Sequence, residues 1–322
     1  MTGATADAVR LYDEGSALEA TFVPAAGMVC SSLRHRGDEL LAQNAGVSAY
    51  AERGKTMGIP FLYPWANRLS GFRYSVAGRT VDVPHDPTRV ALDGDGLPIH
   101  GVIPGRLRWE PAQLPSAAAQ SLSARLSWSE SRAELFEVFP FRHEVLFEAR
   151  LGAGRLEIDV TVSASGAEVV PVAFGFHPYL APPGVPREQW LVELPAMHRL
   201  ALDSHHIPSG PETAQPARSF ALSEHEFDDG FDAVAEPARF RVTAGDRRLT
   251  LEFQRGYPCA QVFAPHASRF ICFEPMTAPA NALLTGAGLH LLAPGERYRA
   301  GFSLLVDDST EPARSQPGRV PG

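Results

Sequence analysis

The sequence predicts an all-β fold, a large antiparallel β-sandwich with few short helices, and three observations support this prediction. Apolar and polar residues alternate with period two along most of the chain, a pattern typical of half-buried strands. Short turns rich in Gly, Pro or Asp interrupt this alternation, and 28 Pro and 28 Gly spread over 322 residues limit the length of any helix. The chain shows neither a βαβ unit nor an internal repeat, which favours antiparallel sheets.

Three stretches carry the hairpin pattern. FRYSVAGRTVDV (72–83) turns at Ala-Gly-Arg, HEVLFEARLGAGRLEIDVTVSASG (143–166) turns at Gly-Ala-Gly, and FRVTAGDRRLTLEFQ (240–254) turns at Gly-Asp. Glycine supplies the backbone conformations that such tight turns need. Helical patterns are confined to short pieces near 38–53 and 129–138.

We expect one domain over residues 1–307, because no shift in composition marks a linker before about residue 308. Residues 308–322 are polar and rich in Pro and Gly, so this tail is predicted to be disordered.

Composition excludes several classes of function. The net charge is −8 and no Lys/Arg cluster is present, so nucleic-acid binding is not expected. There is no apolar run of 18 residues and no signal-peptide pattern, and three widely spaced cysteines suit neither a disulfide framework nor a zinc site. We therefore expect a cytoplasmic protein with reduced thiols, a monomer or homodimer without membrane association.

Five short stretches place a polar residue among apolar or tightly turned surroundings. They are Asn67-Arg68 in GIPFLYPWANRLSGFRY, His100 in GDGLPIHGVIPG, His177 in VAFGFHPYL, Asp228 in HEFDDGFDAV and Glu274 in FICFEPMTAPANAL. Glu274 follows four apolar residues, and an acid is costly to bury there unless it is paired or used. By this criterion it is the strongest functional signal of the five.

The chemistry of these residues favours proton transfer. The histidines and carboxylates lack close metal-ligand spacing, His205 and His206 are expected at the surface, and there is no nucleophile elbow and no Gly-rich nucleotide loop. We therefore expect no metal and no other cofactor. Histidine plus carboxylates framed by aromatics suit general acid–base chemistry on a hydroxylated substrate.

Taken together, these stretches resemble the aldose 1-epimerase (galactose mutarotase-like) family over residues 18–306. The resemblance is carried by Asn67-Arg68-Leu69-Ser70-Gly71, His100-Gly101, the stretch at His177, Asp228 with Phe231, and Phe-Glu-Pro-Met-Thr-Ala-Pro at Glu274, all in family order. The resemblance implies a galactose mutarotase-like supersandwich and a small-molecule sugar substrate.

Position by position, the resemblance implies that Glu274 is the catalytic base and His177 the catalytic acid. Arg68, His100 and Asp228 match residues that bind the sugar, Asn67 belongs to the same motif as Arg68, and Gln261 is expected to line the pocket. Asp232 is the alternative to Asp228.

The implied reaction interconverts the α and β anomers of a free aldohexose. The base removes the proton of the C1 hydroxyl, the acid protonates the ring oxygen, and the ring closes again on the other face. Partial burial would raise the pKa of Glu274, and a nearby carboxylate would keep His177 protonated.

Three alternatives stay open. A hexose-6-phosphate 1-epimerase would need cations around a phosphate, for which Arg34, Arg36, Arg53, Lys55 and Arg73 are candidates. Hydrolysis by paired carboxylates would need an acid where His177 stands. A non-catalytic sugar-binding protein could stack Trp65, Phe176 and Tyr179 on a sugar, but would have no need of both Glu274 and His177.

Overall fold

The computed structural model describes residues 8–113, 119–223, 225–266 and 268–308. The first seven residues and nearly all of the predicted tail, from residue 309 on, lie outside the described residues. Strands are numbered in chain order, and all strand pairs within the sheets are antiparallel.

Two broad sheets form the sandwich. The nine-stranded sheet has the strand order β10 (Glu110–Gln113), β11 (Ser121–Trp128), β12 (His143–Gly152), β13 (Arg155–Ala164), β27 (Arg297–Asp308), β23 (Arg247–Arg255), β22 (Ala238–Ala244), β17 (Leu191–Leu194) and β20 (Arg218–Ala221). The eight-stranded sheet has the order β19 (Thr213–Gln215), β18 (Met197–Arg199), β21 (Phe227–Asp232), β24 (Cys259–Ala264), β25 (Ile271–Met276), β15 (Gly175–Phe176) and β5 (Phe61–Leu62), and β16 (Tyr179–Leu180) also pairs with β25.

Smaller elements surround these sheets. A four-stranded sheet contains β1 (Val9–Asp13), β2 (Leu18–Val23), β3 (Val29–His35) and β4 (Asp38–Glu39). Two-stranded pairs are β6 (Arg73–Val76) with β7 (Arg79–Asp82), β8 (Val90–Leu92) with β9 (Pro98–Val102), and β14 (Val170–Val172) with β26 (His290–Leu292). The helices are α1 (Gly46–Arg53), α2 (Ala133–Phe136) and α3 (Ala282–Thr285), with 3₁₀ turns at Pro24–Ala26, Pro104–Arg106 and Arg187–Gln189.

The structure confirms the all-β prediction and the three hairpins. The turn between β12 and β13 has positive φ at Ala153 and Gly154, and the turn between β6 and β7 has positive φ at Ala77 and Gly78, as two-residue hairpin turns require. The helical prediction for 38–53 is wrong in its first half, because Asp38–Glu39 pairs with β3 and the helix begins only at Gly46. In the described part of the chain no helix combines the length and hydropathy needed to cross a membrane.

The core lies between the two broad sheets and is rich in aromatic rings. Phe302 of the nine-stranded sheet packs against Phe176 of the eight-stranded sheet, with ring centroids 5.0 Å apart. Phe240 of the nine-stranded sheet also contacts Phe273 of the eight-stranded sheet, with ring centroids 5.5 Å apart. Successive residues of a strand point to opposite faces, so the neighbours of Phe176 and Phe273 project from the outer face of the eight-stranded sheet.

Candidate active site

Glu274 lies on that outer face. It follows the core residue Phe273 on β25 and stands directly opposite Gln261 on β24. Every residue of β25 is buried, including Glu274, whose side chain is only 1% exposed. The sequence signal, an acid after four apolar residues, therefore corresponds to a carboxyl group held inside the protein.

His177 follows β15 and faces Glu274. Its Nε2 atom is 3.2 Å from Oε1 of Glu274. The ring stacks on Tyr179 with centroids 4.4 Å apart and an angle of 5° between the planes. The Tyr179 hydroxyl lies 3.4 Å from His177 Nε2 and 2.6 Å from Thr56 Oγ1. The imidazole is thus fixed on one side by an aromatic face and at its edge by polar atoms.

Burial shifts both pKa values towards the neutral forms. It raises the pKa of Glu274 well above its usual value, with a further contribution from Asp228, and it lowers the pKa of His177 well below its usual value, assisted by His100. The predicted rise for Glu274 therefore has the expected direction. The expectation that a nearby carboxylate keeps His177 protonated needs correction, because burial lowers the pKa of His177 well below its usual value.

Two polar atoms of this pair have no hydrogen-bond partner among the described residues. They are Nδ1 of His177 and Oε2 of Glu274, and both are buried. A buried polar atom without a partner loses about 1–3 kcal/mol of solvation. The pair therefore offers one nitrogen and one oxygen that a bound polar ligand could satisfy.

Asn67 and His100 lie next to this pair and are joined by two hydrogen bonds, each donated by a backbone N–H group. Both have left-handed backbone conformations, with φ of 54° and 60°, which is uncommon for residues other than glycine. The backbone N–H of Asn67 donates to Nδ1 of His100 at 3.2 Å, and the N–H of His100 donates to the Asn67 carbonyl at 3.0 Å. Because Nδ1 accepts, the proton of the neutral ring is on Nε2.

His100 remains neutral because burial lowers its pKa to about 3, with a smaller contribution from Arg68. Its ring centroid is 5.7 Å from that of His177. The following residue, Gly101, has φ of 77° and a Cβ there would lie 2.1 Å from the Tyr63 carbonyl oxygen. The His-Gly pair in the sequence is therefore explained by an approach between two backbones that only glycine allows.

Side-chain hydrogen bonds connect Asn67, Gln261 and Asp228. Asn67 Nδ2 donates to Gln261 Oε1 at 3.4 Å, and Gln261 Nε2 donates to Asp228 Oδ1 at 2.6 Å. Gln261 is buried, and the exposed fraction of the Asp228 side chain is 24%. The row runs across β24 and β21, from the interior at Asn67 towards the surface at Asp228.

Arg68 is held by an aspartate that sequence reasoning missed. Its Nε donates to Asp93 Oδ2 at 3.0 Å, while its NH2 lies 3.9 Å from Asp228 Oδ2. Asp93 also accepts the backbone N–H groups of Asp95 and Leu97, both at 2.9 Å, in the turn between β8 and β9. The Asp-Gly-Asp-Gly stretch signals a turn, but its contact with Arg68 is not visible in the sequence.

His206 is a second residue whose contact the sequence did not reveal. It is exposed, as expected, yet its Nδ1 is 3.2 Å from Oδ2 of Asp228. Asp232, the alternative to Asp228, lies four residues, or about 13 Å, further along β21. There it contacts His198 instead, at 3.9 Å, and burial together with Glu212 raises its pKa to about 6.

The structure brings the seven predicted site residues together in one continuous row of contacts. In order of contact they are Glu274, His177, His100, Asn67, Gln261, Asp228 and Arg68.

None of the three aromatics suggested for stacking on a sugar is available for it. Trp65 and Phe176 are buried in the main core, and Tyr179 is occupied by His177. Phe263 has its ring centroid 5.6 Å from that of His177 and also lines a cavity of about 720 Å³. Asp228 and His206 line the same cavity, so it adjoins the buried pair from the surface side.

The charges around this cavity are mainly acidic. Four carboxylates line it, against Arg199 and His206 as the basic residues, and Arg199 pairs with one of them, Asp229, at 2.6 Å; the carboxylates are Asp203, Glu226, Asp228 and Asp229. The cations considered for a phosphate lie on other elements. Arg34, Arg36 and Arg73 pair with Glu39, Asp308 and Asp82, and Arg53 and Lys55 are exposed at the end of α1.

Comparison with known proteins identifies relatives along nearly the whole chain. The sequence model of one family, aldose 1-epimerase, matches residues 11–305. YihR, an uncharacterized protein of Escherichia coli strain K12, is 24% identical over 254 residues, which cover 76% of this chain and 77% of that protein.

Solved structures with the same fold include two named after this family. A galactose mutarotase-like protein from Clostridium acetobutylicum superimposes with a TM-score of 0.76 at 17% identity, covering 91% of this chain and 93% of the other. A GalM/aldose epimerase homologue from C. elegans superimposes with a TM-score of 0.75 at 15% identity, covering 94% and 99%. The observed sandwich is therefore the galactose mutarotase-like fold.

Proposed function

Because this chain belongs to the aldose 1-epimerase family, we propose that it interconverts the α and β anomers of a free aldohexose, with Glu274 as the base and His177 as the acid. The observation that carries the proposal is the buried contact of 3.2 Å between these two side chains. Each has an unsatisfied polar atom, so a sugar could meet both at once.

The two side chains can accept one proton and donate another, so the number of protons that they hold together does not change. Transfer of the Glu274 proton to His177 creates a carboxylate and an imidazolium. The carboxylate removes the proton of the sugar C1 hydroxyl while the imidazolium protonates the ring oxygen, so the C1–ring-oxygen bond breaks and a C1 carbonyl forms. After rotation about the C1–C2 bond, the reverse transfers close the ring on the other face. Each positioned transfer contributes typically about 10²–10⁴-fold to the rate.

The surrounding residues suit the binding of sugar oxygens. His100 is neutral and presents its Nε2–H as a donor, while Arg68 supplies a fixed cation beside Asp228. Such oriented donors stabilise charge that develops on an oxygen as the ring opens. Asp228, Gln261 and Asn67 provide the acceptors and donors that hydroxyl groups require.

The charge of the site favours a neutral sugar over a sugar phosphate. Arg68 is already paired with Asp93, and the adjoining cavity has more carboxylates than basic groups. A phosphate there would face like charges, which costs binding free energy. A binding protein without catalysis is disfavoured too, since a buried acid–base pair lowers stability without any benefit to stacking.

The experiment is the rate at which freshly dissolved α-D-glucose and α-D-galactose reach anomeric equilibrium, followed by polarimetry. Wild type is compared with Glu274→Gln, His177→Asn and a control, Asp95→Asn. The control changes a similar histidine–carboxylate contact, His205 to Asp95 at 3.0 Å, which is exposed.

We expect acceleration by wild type and by the control, and a loss of about 10²–10⁴-fold in each of the two site variants. Acceleration that survives both substitutions would reject the two roles. No acceleration of either sugar, together with acceleration of glucose 6-phosphate, would instead support the phosphate alternative.

Cytoplasmic location and a monomeric or homodimeric state stay predictions of the sequence.

A further inference from the structure

A second group of titratable side chains lies at the other end of the same sheet. His198 on β18 is directly opposite Asp232 on β21 and directly opposite Ala214 on β19. Glu212 precedes β19, two residues before Ala214. Paired residues of neighbouring strands project to the same face, so one face carries the imidazole between two carboxylates.

The spacing of these three side chains matches that of metal ligands. His198 Nδ1 is 3.3 Å from Glu212 Oε2 and 3.9 Å from Asp232 Oδ1, and all three ligand atoms lie within 4.8 Å of one another. In a tetrahedral site with bonds of about 2.1 Å, neighbouring ligand atoms are about 3.4 Å apart. The contact of 3.3 Å already matches this spacing, and the contact of 3.9 Å would have to shorten by about 0.5 Å.

One of the ligand atoms points to a missing partner. Asp232 Oδ1 is buried and has no hydrogen-bond partner among the described residues. It lies close to a second carboxylate, Glu212, and two carboxylates at this distance repel each other unless a cation or a proton stands between them. Either a cation or a proton shared with Glu212 would satisfy this oxygen, and a cation would neutralise both carboxylates at once.

The group also opens onto free space. A cavity of about 630 Å³, distinct from the one beside Asp228, is lined by Glu212 and Asp232 together with residues of the surrounding loops. Three protein ligands leave at least one coordination position of a tetrahedral ion, and this cavity gives room for water or a small anion there.

We propose that His198, Glu212 and Asp232 form a binding site for a divalent transition-metal ion, with Zn²⁺ as the best match. A nitrogen ligand with two carboxylate oxygens suits Zn²⁺, whereas Mg²⁺ and Ca²⁺ prefer ligand sets made of oxygen alone. The site does not depend on the proposed sugar chemistry, because it lies about 13 Å along β21 from Asp228. The three positions are separated by 14 and 20 residues, so no spacing motif announces them.

The test is isothermal titration of the full chain, first stripped of metal with a chelator, using ZnCl₂ and MgCl₂. The site variants are Glu212→Gln and His198→Ala, whose side chains are 50% and 45% exposed, so that the fold is not at risk. The matched control is Asp95→Asn, which alters an exposed histidine with one carboxylate instead of two. Circular dichroism checks that all variants are folded.

We expect one Zn²⁺ per chain, bound at least about tenfold more weakly in both site variants and with unchanged affinity in the control. The proposal would be overturned by the absence of a one-to-one site in wild type, or by site variants that bind like wild type. Loss of binding in the control would place the metal at His205 and overturn it as well. Binding of Mg²⁺ as tight as that of Zn²⁺ would contradict the assigned ion class.

Discussion

Phe273 and Glu274 are neighbours on β25, and their side chains occupy opposite faces of one sheet. Phe273 packs against Phe240 of the other broad sheet, and Glu274 contacts His177. Both residues are buried, but burial is favourable for a ring and unfavourable for a charged carboxylate. The inner face of the eight-stranded sheet therefore stabilises the fold, while its outer face holds reactive groups at the expense of stability.

The largest effect is expected from removing a side chain of the inner face. Phe273→Ala removes a fully buried ring between the sheets and should lower the free energy of unfolding by about 3–5 kcal/mol. Urea denaturation followed by circular dichroism measures this. Leu291→Ala is the control, since that side chain is 47% exposed and its loss should change the value by about 0.5 kcal/mol or less. A loss below about 1.5 kcal/mol for Phe273→Ala would show that the inner face is not the stabilising one.

The next largest effect is expected at Gly101, whose backbone conformation positions His100. Gly101→Ala would place a Cβ against the Tyr63 carbonyl in a left-handed conformation, so we expect a loss of about 2–4 kcal/mol and a displaced His100. Gly71→Ala is the matched control, because a Cβ at Gly71 meets no atom within 4 Å. Both variants are compared by urea denaturation and by the rate of anomer exchange. Equal behaviour of the two would contradict the role given to the His-Gly pair.

A smaller effect of opposite sign is expected at Glu274. Its pKa is raised in the folded protein, so the folded state favours the protonated form, and this group lowers stability progressively as the pH rises above the unfolded value of about 4.3. Glu274→Gln removes this penalty and should make the protein more stable than wild type at pH 8, while lowering the rate of anomer exchange by about 10²–10⁴-fold. At about pH 4 the two proteins should unfold at the same urea concentration. A variant less stable than wild type at pH 8 would mean that the carboxylate stabilises the fold.

The difference between the two faces also explains how much of the site could be predicted from the sequence. Glu274 and His177 stand out because each interrupts an apolar run, and the turn glycines mark the hairpins. Whether an aromatic residue faces the core or a ligand depends on which sheet face is packed, and Trp65 and Phe176 proved to be core residues. Only strand pairing over long sequence distances decides this.

Contacts made by loop residues could not be predicted from the sequence either. Asp93 lies 25 residues after Arg68 in the sequence, and His206 was expected only to be exposed, which does not predict its contact with Asp228. The direction of the His177 pKa shift was also missed. A sequence suggests that a carboxylate is near, but the degree of burial that outweighs it follows from the packed structure.

The last and smallest expected effect is the pH dependence of anomer exchange, which depends on the His177–Glu274 pair. The pair is active with one proton, so activity is lost when a second proton binds at low pH and when the last one leaves at high pH. Burial lowers the first pKa well below that of an ordinary histidine and raises the second well above that of an ordinary glutamate. We therefore expect kcat/KM for α-D-glucose to show no acid limb near pH 6.5, the ordinary pKa of histidine, when it is measured by polarimetry with buffer-catalysed rates subtracted. An acid limb centred near pH 6.5 would mean that His177 titrates as an exposed imidazole does. That result would contradict the burial of His177 on the outer face.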